Sequence, residues 1–393
     1  MTMANDRTDS MFKQLYTVGN ALLKVNGNNT HSGNLSIVDP DNSERFFATA
    51  SGSQIGALVP RDIVPVYFSR VSWGDGRATT ESNIHRKVLS IPGVNACIHC
   101  HHLAATTITF DSKEHGLFLH FSDNDEEEES EAVFQPVDIH GANCLGDVKV
   151  GTYKQPVGSA EMEERIPQYL ARASLTLIKG HGLFAGGHSL EHCLYHVSLL
   201  ENSALVALNL ARIDDHLNLL QHRIMEKGPD VCFPPYPKAL YKGLANEGQP
   251  VDDTLSSEFT HWLAYLYNTM IGAFGTGSMS QKVSAREMIF CPASSVPEGI
   301  TFPLVRTTTE IRDDDCFEVM LHKLIYNHTI YSTCIMTSNP LITAEGMAVM
   351  AKAYGIDAVL GDAASISYSA EKHPVIVPID AEAIYLNPRQ WER

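Results

Sequence analysis

The alternation of apolar and polar residues predicts a chain that mixes helices and strands. In the first 227 residues, apolar residues recur at helical spacing in three segments, which are residues 11–25, 82–91 and 189–225. Short β-branched runs bounded by Gly, Asn and Asp predict strands. These runs lie at residues 33–39, 45–50, 63–71, 94–102 and 175–178. The pattern is typical of an α/β protein.

A proline-rich segment divides the chain. Residues 228–237 contain four prolines and are predicted to belong to a linker. A chain of 393 residues is too long for one ordinary core, so two domains are expected. We therefore predict a first domain over 1–227, a linker over 228–250 and a second domain over 251–393.

The second domain repeats the order of the first. A helix is predicted at 256–274, and Glu318 and His322 repeat the spacing of Glu81 and His85. The distance from Glu81 to His99 is 18 positions, and Glu318 lies 18 positions before Met336. These matches predict a tandem duplication. Chance similarity between two α/β halves is the alternative. In the second copy, Met336 and Ser338 stand where the first has His99 and His101.

Composition narrows the class of protein. The net charge of −17 argues against a nucleic-acid partner, because no basic stripe is present to neutralise phosphates. No run of eighteen apolar residues is present, and the first residues lack the pattern of a secretory signal. The eight cysteines are scattered, which favours free thiols in a reducing cytoplasm. We expect a cytoplasmic protein that does not bind membranes.

Histidines end the strand at 94–102. Side chains alternate between the faces of a strand, so His99 and His101 point the same way, about 7 Å apart along the strand. A catalytic metal site needs a third protein ligand. His181, between two glycines just after a strand, is the best candidate. The competing histidines are His85, His102, His115, His120, His140 and His188. Three neutral imidazoles suit Zn²⁺, with Mn²⁺, Fe²⁺ or Co²⁺ as alternatives.

A carboxylate lies at a useful position for proton transfer. Glu81 lies immediately before the first residue of the predicted helix at 82–91. A carboxylate there often only complements the helix dipole. Beside a metal it could instead take a proton from a carbon next to a carbonyl, which is the combination of base and Lewis acid that C–C cleavage requires.

Small polar residues precede Glu81 in the sequence and predict an anion site. They can present backbone N–H groups and hydroxyls to a phosphate, although each is also an ordinary turn residue. A carboxylate or hydroxyls would fit them too. The residues are Asn34, Ser51, Gly52, Thr79 and Thr80.

Taken together, these motifs resemble the class II aldolase/adducin family over roughly residues 11–215. The resemblance rests on GNLS at 33–36, ASG at 50–52, TTE at 79–81, HCH at 99–101 and GHG at 180–182, in the family's order. It implies an αβα sandwich with a central, mostly antiparallel sheet. It also implies Zn²⁺ on the three histidines, Glu81 as acid/base, and phosphate binding by the small polar residues.

The resemblance has further implications for assembly and for one tyrosine. Family active sites lie between subunits of a four-fold ring, and a tyrosine of the neighbour often serves as proton donor. Tyr153 lies near that tyrosine's usual position, although the spacing differs and a buried structural role is the alternative. Two chains, each with one metal-binding and one degenerate copy, are expected to form a homodimer that mimics the ring.

The expected activity is that of a zinc-dependent lyase. The first hypothesis is retro-aldol cleavage of a ketose phosphate, or of a related hydroxy-carbonyl compound, through a Zn-stabilised enediolate. Relatives with the same scaffold perform epimerisation, dehydration or decarboxylation, which the motifs do not separate. A second hypothesis is a non-catalytic scaffold like the adducin head domain, which would hold no metal. A third is a zinc hydrolase in which Glu81 activates water.

Overall fold

The structure is a computed structural model of the 393-residue chain. It describes residues 2–24, 31–69, 77–112, 114, 116–121, 132–213, 254, 257, 278–292, 305–312, 317–328, 332–336, 375–379 and 382–386. Two compact units are present: Met1–Pro136 with Leu145–Ala204, and Val137–Cys144 with Leu205–Arg393. The predicted linker at 228–250 and the acidic run at 123–131 lie outside the described residues, so the predicted domain boundaries stay predictions.

A nine-stranded sheet organises the first unit. Its strands are β1 Asn34–Val38, β2 Arg45–Thr49, β3 Ile63–Tyr67, β4 Ala96–Cys100, β5 Leu119–Phe121, β6 Ala132–Phe134, β7 Val148–Gly151, β8 Leu175–Ile178 and β9 Gly182–Gly187. Their order across the sheet is β3-β2-β1-β4-β9-β8-β7-β6-β5. Seven of the eight neighbouring pairs are antiparallel, and β7 with β8 is parallel. The expected α/β class with a mostly antiparallel sheet is confirmed.

Seven helices are described. They are α1 Thr2–Lys24, α2 Ser82–Leu89, α3 Leu103–Thr107, α4 Ile139–Leu145, α5 Ala160–Leu170, α6 Leu190–Ile213 and α7 Phe317–His328. The predicted helix start at Ser189 is confirmed, because its hydroxyl accepts a hydrogen bond from His192 N at 3.2 Å. None of the helices that the structure describes combines the length and apolarity needed to cross a membrane.

Both faces of the sheet's centre are covered. Every residue of β4, β8 and β9 is buried, although side chains alternate between the two faces of a strand. On one face, Val88 of α2 and Ile166 of α5 pack in one cluster with Cys97 and Phe184. Ile98 is also fully buried and points to the other face. Each such buried aliphatic or aromatic side chain contributes about 1.5–3 kcal/mol to folding. The layers are those of an αβα sandwich.

The second unit contains a smaller sheet with the same strand order as part of the first. Its strands are β10 Ser278–Lys282, β11 Glu287–Pro292, β12 Val305–Thr308 and β13 Thr333–Met336, and a separate pair is β14 Val375–Ile379 with β15 Glu382–Leu386. The order β12-β11-β10-β13 matches β3-β2-β1-β4, with antiparallel pairing throughout.

The register of the two sheets also agrees. Asn34 is paired with His99 across β1 and β4. Ser278 is paired with Met336 across β10 and β13. In both sheets a helix, α2 or α7, lies between the third and fourth strands in the sequence. The predicted helix at 256–274 lies outside the described residues apart from Ser257, which is helical.

Candidate metal and acid–base site

Three histidines come together at the end of β4. The nitrogen atoms that His99, His101 and His181 can offer to a metal all lie within 4.8 Å of one another. Their ring centroids are 4.7–5.0 Å apart. No other such group of His, Cys, Asp or Glu occurs in the described part of the chain. The structure therefore brings together the three histidines that the sequence analysis selected.

Strand pairing positions these rings. His99 is opposite Phe184 in the ladder between β4 and β9, and its ring stacks on Phe184 at a centroid distance of 4.3 Å. His181 occupies the tight turn between β8 and β9. Gly180 before it has φ of 67°, a left-handed conformation that favours glycine. Because β4 and β9 are neighbours, the turn at His181 returns to the end of β4.

Hydrogen bonding fixes which nitrogen of His99 faces the cluster. Nδ1 of His99 donates to the Leu183 carbonyl at 2.8 Å. A neutral ring with its proton on Nδ1 has a lone pair on Nε2. That Nε2 lies 3.0 Å from Nε2 of His101. A backbone carbonyl behind a ligating histidine is a common arrangement at metal sites, since it sets the tautomer and the ring orientation.

The three imidazoles are held neutral. Burial, reinforced by the neighbouring rings, lowers the pKa of His99 and of His101 to about 3. Burial also lowers the pKa of His181. Metals bind the neutral imidazole. The donor set therefore fits a divalent cation of the kind that three nitrogen ligands select.

Glu81 faces the same cluster. It occupies the N-cap position of α2, but its side chain makes no capping hydrogen bond. Instead, Oε2 lies 3.4 Å from Nε2 of His99 and accepts a hydrogen bond from Asn34 Nδ2 at 2.8 Å. The carboxylate is 5% exposed, and its Oε1 accepts no hydrogen bond from the residues that the structure describes. A buried anionic oxygen without a donor is costly, which fits a proton or a cation as its partner.

Asn34 is positioned by hydrogen bonds that involve two residues, His85 and Ser36, which the sequence analysis did not place in the site. Its Oδ1 is in hydrogen-bond contact with Nε2 of His85, and Nδ1 of His85 lies 2.6 Å from the hydroxyl of Ser36. All three side chains are buried. His85, which was considered as a competing ligand, is thus not part of the group formed by the three histidines. The alternation of side chains along β1 could have indicated Ser36, since Asn34 and Ser36 lie on the same face of the strand.

The other residues of the predicted anion site form a nearby rim. Residues 50–52 and 77–80 run side by side, because Ala50 bridges to Ala78 and Ser51 N donates to Arg77 O at 2.7 Å. Ser51, Gly52 and Thr80 are exposed, whereas Thr79 is buried. The Thr79 hydroxyl accepts a hydrogen bond from Glu81 N at 3.3 Å. The two segments therefore adjoin the residue that carries the carboxylate.

Tyr153 lies in the core. Its side chain is 7% exposed and belongs to the cluster formed by α2, α5 and the sheet. The guanidinium of Arg165 lies over its ring at 5.0 Å. This placement favours the structural alternative given for Tyr153, and its role as a proton donor stays a prediction.

Comparisons with known proteins identify the same region. Residues 13–208 match the family model described as Class II Aldolase and Adducin N-terminal domain. Methylthioribulose-1-phosphate dehydratase of Hahella chejuensis is 25% identical over 167 residues, which cover 42% of this chain and 77% of that protein. The enzyme of the same name from Leptospira biflexa is 27% identical over 180 residues, covering 42% of this chain and 81% of that protein.

Two solved structures also resemble the chain. L-fuculose-1-phosphate aldolase from Thermus thermophilus has a TM-score of 0.44 and 24% identity, and the match covers 52% of this chain and 96% of that one. A sugar-phosphate aldolase from Thermotoga maritima has a TM-score of 0.42 and 16% identity, covering 53% and 98%.

Proposed function

Because the chain belongs to the class II aldolase and adducin family through residues 13–208, we propose that it is a metal-dependent lyase acting on a ketose phosphate. The observation that carries the proposal is the buried carboxylate of Glu81 beside three convergent imidazoles. A scaffold protein would have no need for this set. We propose Zn²⁺ as the metal, held by His99, His101 and His181, with Mn²⁺, Fe²⁺ or Co²⁺ as alternatives. When bound, the metal would polarise the substrate's carbonyl oxygen.

Glu81 is the proposed base. Its free Oε1 is the atom that would take a proton from the carbon next to the substrate carbonyl. The hydrogen bond from Asn34 to Oε2 leaves Oε1 as the more available oxygen. Residues Ser51, Gly52, Thr79 and Thr80, with the second amide hydrogen of Asn34, are the proposed contacts to the phosphate.

The step that we favour after proton removal is the loss of water. The hydroxyl on the next carbon would leave with the proton that Glu81 carries, which gives an enol of a dicarbonyl product. Two observations favour dehydration. The curated relatives given above are named as dehydratases. The candidate proton donor for a leaving aldehyde, Tyr153, is buried in the core. Retro-aldol cleavage, the first hypothesis from the sequence, remains the second candidate.

Mass spectrometry of the product separates the two reactions. The purified, zinc-loaded protein would be incubated with methylthioribulose 1-phosphate and, in parallel, with fuculose 1-phosphate. Dehydration gives one product lighter than its substrate by one water, whereas cleavage gives two fragments. Glu81→Gln is the control for background reaction. Turnover of neither substrate by a protein that binds zinc would contradict the proposal.

We further propose that the second unit is a degenerate copy without the metal ligands. Its four-stranded sheet has the strand order and register of β3-β2-β1-β4, which supports a duplication. A homodimer that mimics a four-fold ring is the assembly expected from such a chain. Analytical ultracentrifugation tests it, and a stable monomer at micromolar concentration would count against it.

A further inference from the structure

A one-way chain of hydrogen bonds ends on Glu81. Asn34 uses its Nδ2 to donate to Glu81, so its Oδ1 must be the atom that faces His85 and accepts. Nε2 of His85 therefore carries the proton. Nδ1 of the same neutral ring then accepts from the Ser36 hydroxyl at 2.6 Å. Starting from Glu81, the direction of each hydrogen bond in this series determines the direction of the next.

We propose that His85 is a positioning residue for Glu81, acting through Asn34 with its tautomer set by Ser36. The inference rests on the proposed function, since it assigns Glu81 the proton transfer. An amide can turn over and exchange its donor for its acceptor. The reversed amide would present Oδ1 to the carboxylate of Glu81, which is repulsive, and Nδ2 to the N–H of His85, which leaves two donors facing each other. The series of hydrogen bonds therefore holds the Asn34 amide in the orientation that avoids both unfavourable contacts.

The burial of the chain strengthens this control. Ser36 and His85 are fully buried, and Asn34 and Glu81 are at least nine-tenths buried. Burial lowers the pKa of His85 to about 3, so the ring keeps one donor and one acceptor in neutral solution. Hydrogen bonds in such surroundings are stronger than in water, and an unpaired group is more costly. The geometry of Glu81 is therefore held tightly before any substrate binds.

The second sheet contains a Ser–His pair like the one at the start of this chain of hydrogen bonds. The hydroxyl of Ser280 on β10 lies 2.6 Å from Nδ1 of His322 on α7. At the position of Asn34, however, the second sheet has Ser278, and Met336 is its partner across the ladder. The Ser280 hydroxyl also lies 2.7 Å from the hydroxyl of Tyr326, so Ser280 contacts two side chains of α7. The extension through Asn34 to Glu81 occurs in the unit that has the three histidines.

This difference supplies a matched control. We would compare Ser36→Ala and His85→Phe with Ser280→Ala and His322→Phe. Each pair removes a Ser–His hydrogen bond, and Ser280→Ala also removes the contact with Tyr326, so the second pair should lose at least as much thermal stability as the first. Only the first pair should lower kcat, by about 10–100-fold, with KM changed less than twofold, because the misplaced group acts in the transition state. His85→Gln, whose amide can still donate near the place of Nε2, should recover part of the lost kcat.

A second measurement needs no turnover. Nitrogen-15 NMR of histidine-labelled, metal-free protein reports which ring nitrogen is protonated, and His85→Gln identifies the signal. The expected result is a neutral ring with its proton on Nε2. A proton on Nδ1 would break the chain and overturn the proposal. Equal kcat losses in the Ser36 and Ser280 variants would overturn it as well. If the wild type turned over no substrate, the proposed function would be contradicted. The tautomer of His85 would still show whether the series of hydrogen bonds from Ser36 to Glu81 is formed.

Discussion

Asn34 on β1 lies directly opposite His99 on β4, so the residue that holds Glu81 and a proposed metal ligand are cross-strand neighbours. Side chains at such positions have Cβ atoms about 4.5–5.5 Å apart. The pairing explains why Glu81 reaches both, with Oε2 2.8 Å from Asn34 Nδ2 and 3.4 Å from His99 Nε2. One ladder position thus links the proposed acid–base group to the imidazoles.

The first prediction concerns metal content. His99→Ala should reduce bound zinc from about one equivalent per chain to nearly none, since two imidazoles remain where catalytic zinc sites use three protein ligands. Plasma emission spectroscopy of the purified protein measures it. His120→Ala is the matched control, because His120 is an exposed histidine on β5 and should retain the metal. Wild-type protein without metal after dialysis against zinc would move the chain to the scaffold hypothesis.

The second prediction separates two roles for Glu81. If it is the base, Glu81→Gln should lower kcat by about 10²–10⁴-fold and leave the zinc content unchanged. The amide keeps the size of the side chain but cannot accept the substrate proton. Steady-state kinetics and metal analysis on the same preparation decide the matter. Loss of zinc in this variant would instead identify Glu81 as a ligand.

The third prediction concerns the close contact between β9 and β4. A Cβ at Gly182 would collide with the Cys100 carbonyl oxygen and lie 3.2 Å from the ring of His101. Gly182→Ala should therefore destabilise the fold by about 1–3 kcal/mol and weaken zinc binding. Denaturant unfolding and zinc titration measure the two effects.

Gly146→Ala serves as its control. Gly146 has φ of 61°, but a Cβ there would meet no atom within 4 Å. That variant should lose about 1 kcal/mol from backbone strain and bind zinc normally. Equal zinc affinity in both variants would contradict the view that the spacing between β4 and β9 sets the position of His101.

The fourth prediction is a pH dependence of stability from Glu201 on α6. This carboxylate is 4% exposed and accepts hydrogen bonds from Ala104 N and Ala105 N, each at 2.9 Å. Burial raises its pKa from 4.5 to about 7, against the opposing effect of the two N–H donors. The folded state therefore binds the proton more tightly than the unfolded state. Stability from this group is complete below pH 4.5 and is lost as the pH rises through 7.

The size of the effect follows from the two pKa values. The free energy of unfolding should fall by about 3 kcal/mol between about pH 4.5 and about pH 8 because of Glu201. Glu201→Gln should lack this part of the pH dependence, so the difference between the two proteins in urea unfolding isolates it. Parallel curves for wild type and variant across that range would show that Glu201 does not titrate as described.

Several elements were predictable because they carry strong local signals. The strand at 175–178 matches β8, and β1, β2 and α2 agree with their predicted ranges within two residues. The histidine site was predictable because the alternation in β4 and the glycine turn at His181 are local features. Helix α5 was missed although Ser159 caps it with a hydrogen bond from Met162 N, because Pro167 lies inside the helix.

Other features depend on contacts between distant segments. Strand β9 was missed because three of its six residues are glycine, which is a poor strand former. The chain from Ser36 to Glu81 could not be derived from spacing, because it requires the packing of α2 against β1. The same spacing in the second unit gives the contact between Ser280 and His322, whereas Ser278 takes the place of Asn34.

The strand order has a consequence for how quickly the site can form. His99 and His181 meet only when β4 pairs with β9, and β5 to β8 lie between these strands in the sequence. Closing such a long loop is slow, and chains dominated by distant pairings fold more slowly than helical bundles. The three proposed zinc ligands therefore do not come together in the early collapsed chain. Metal binding should occur after the recovery of helical structure during refolding. The ion would then stabilise the completed sheet and would not direct its formation.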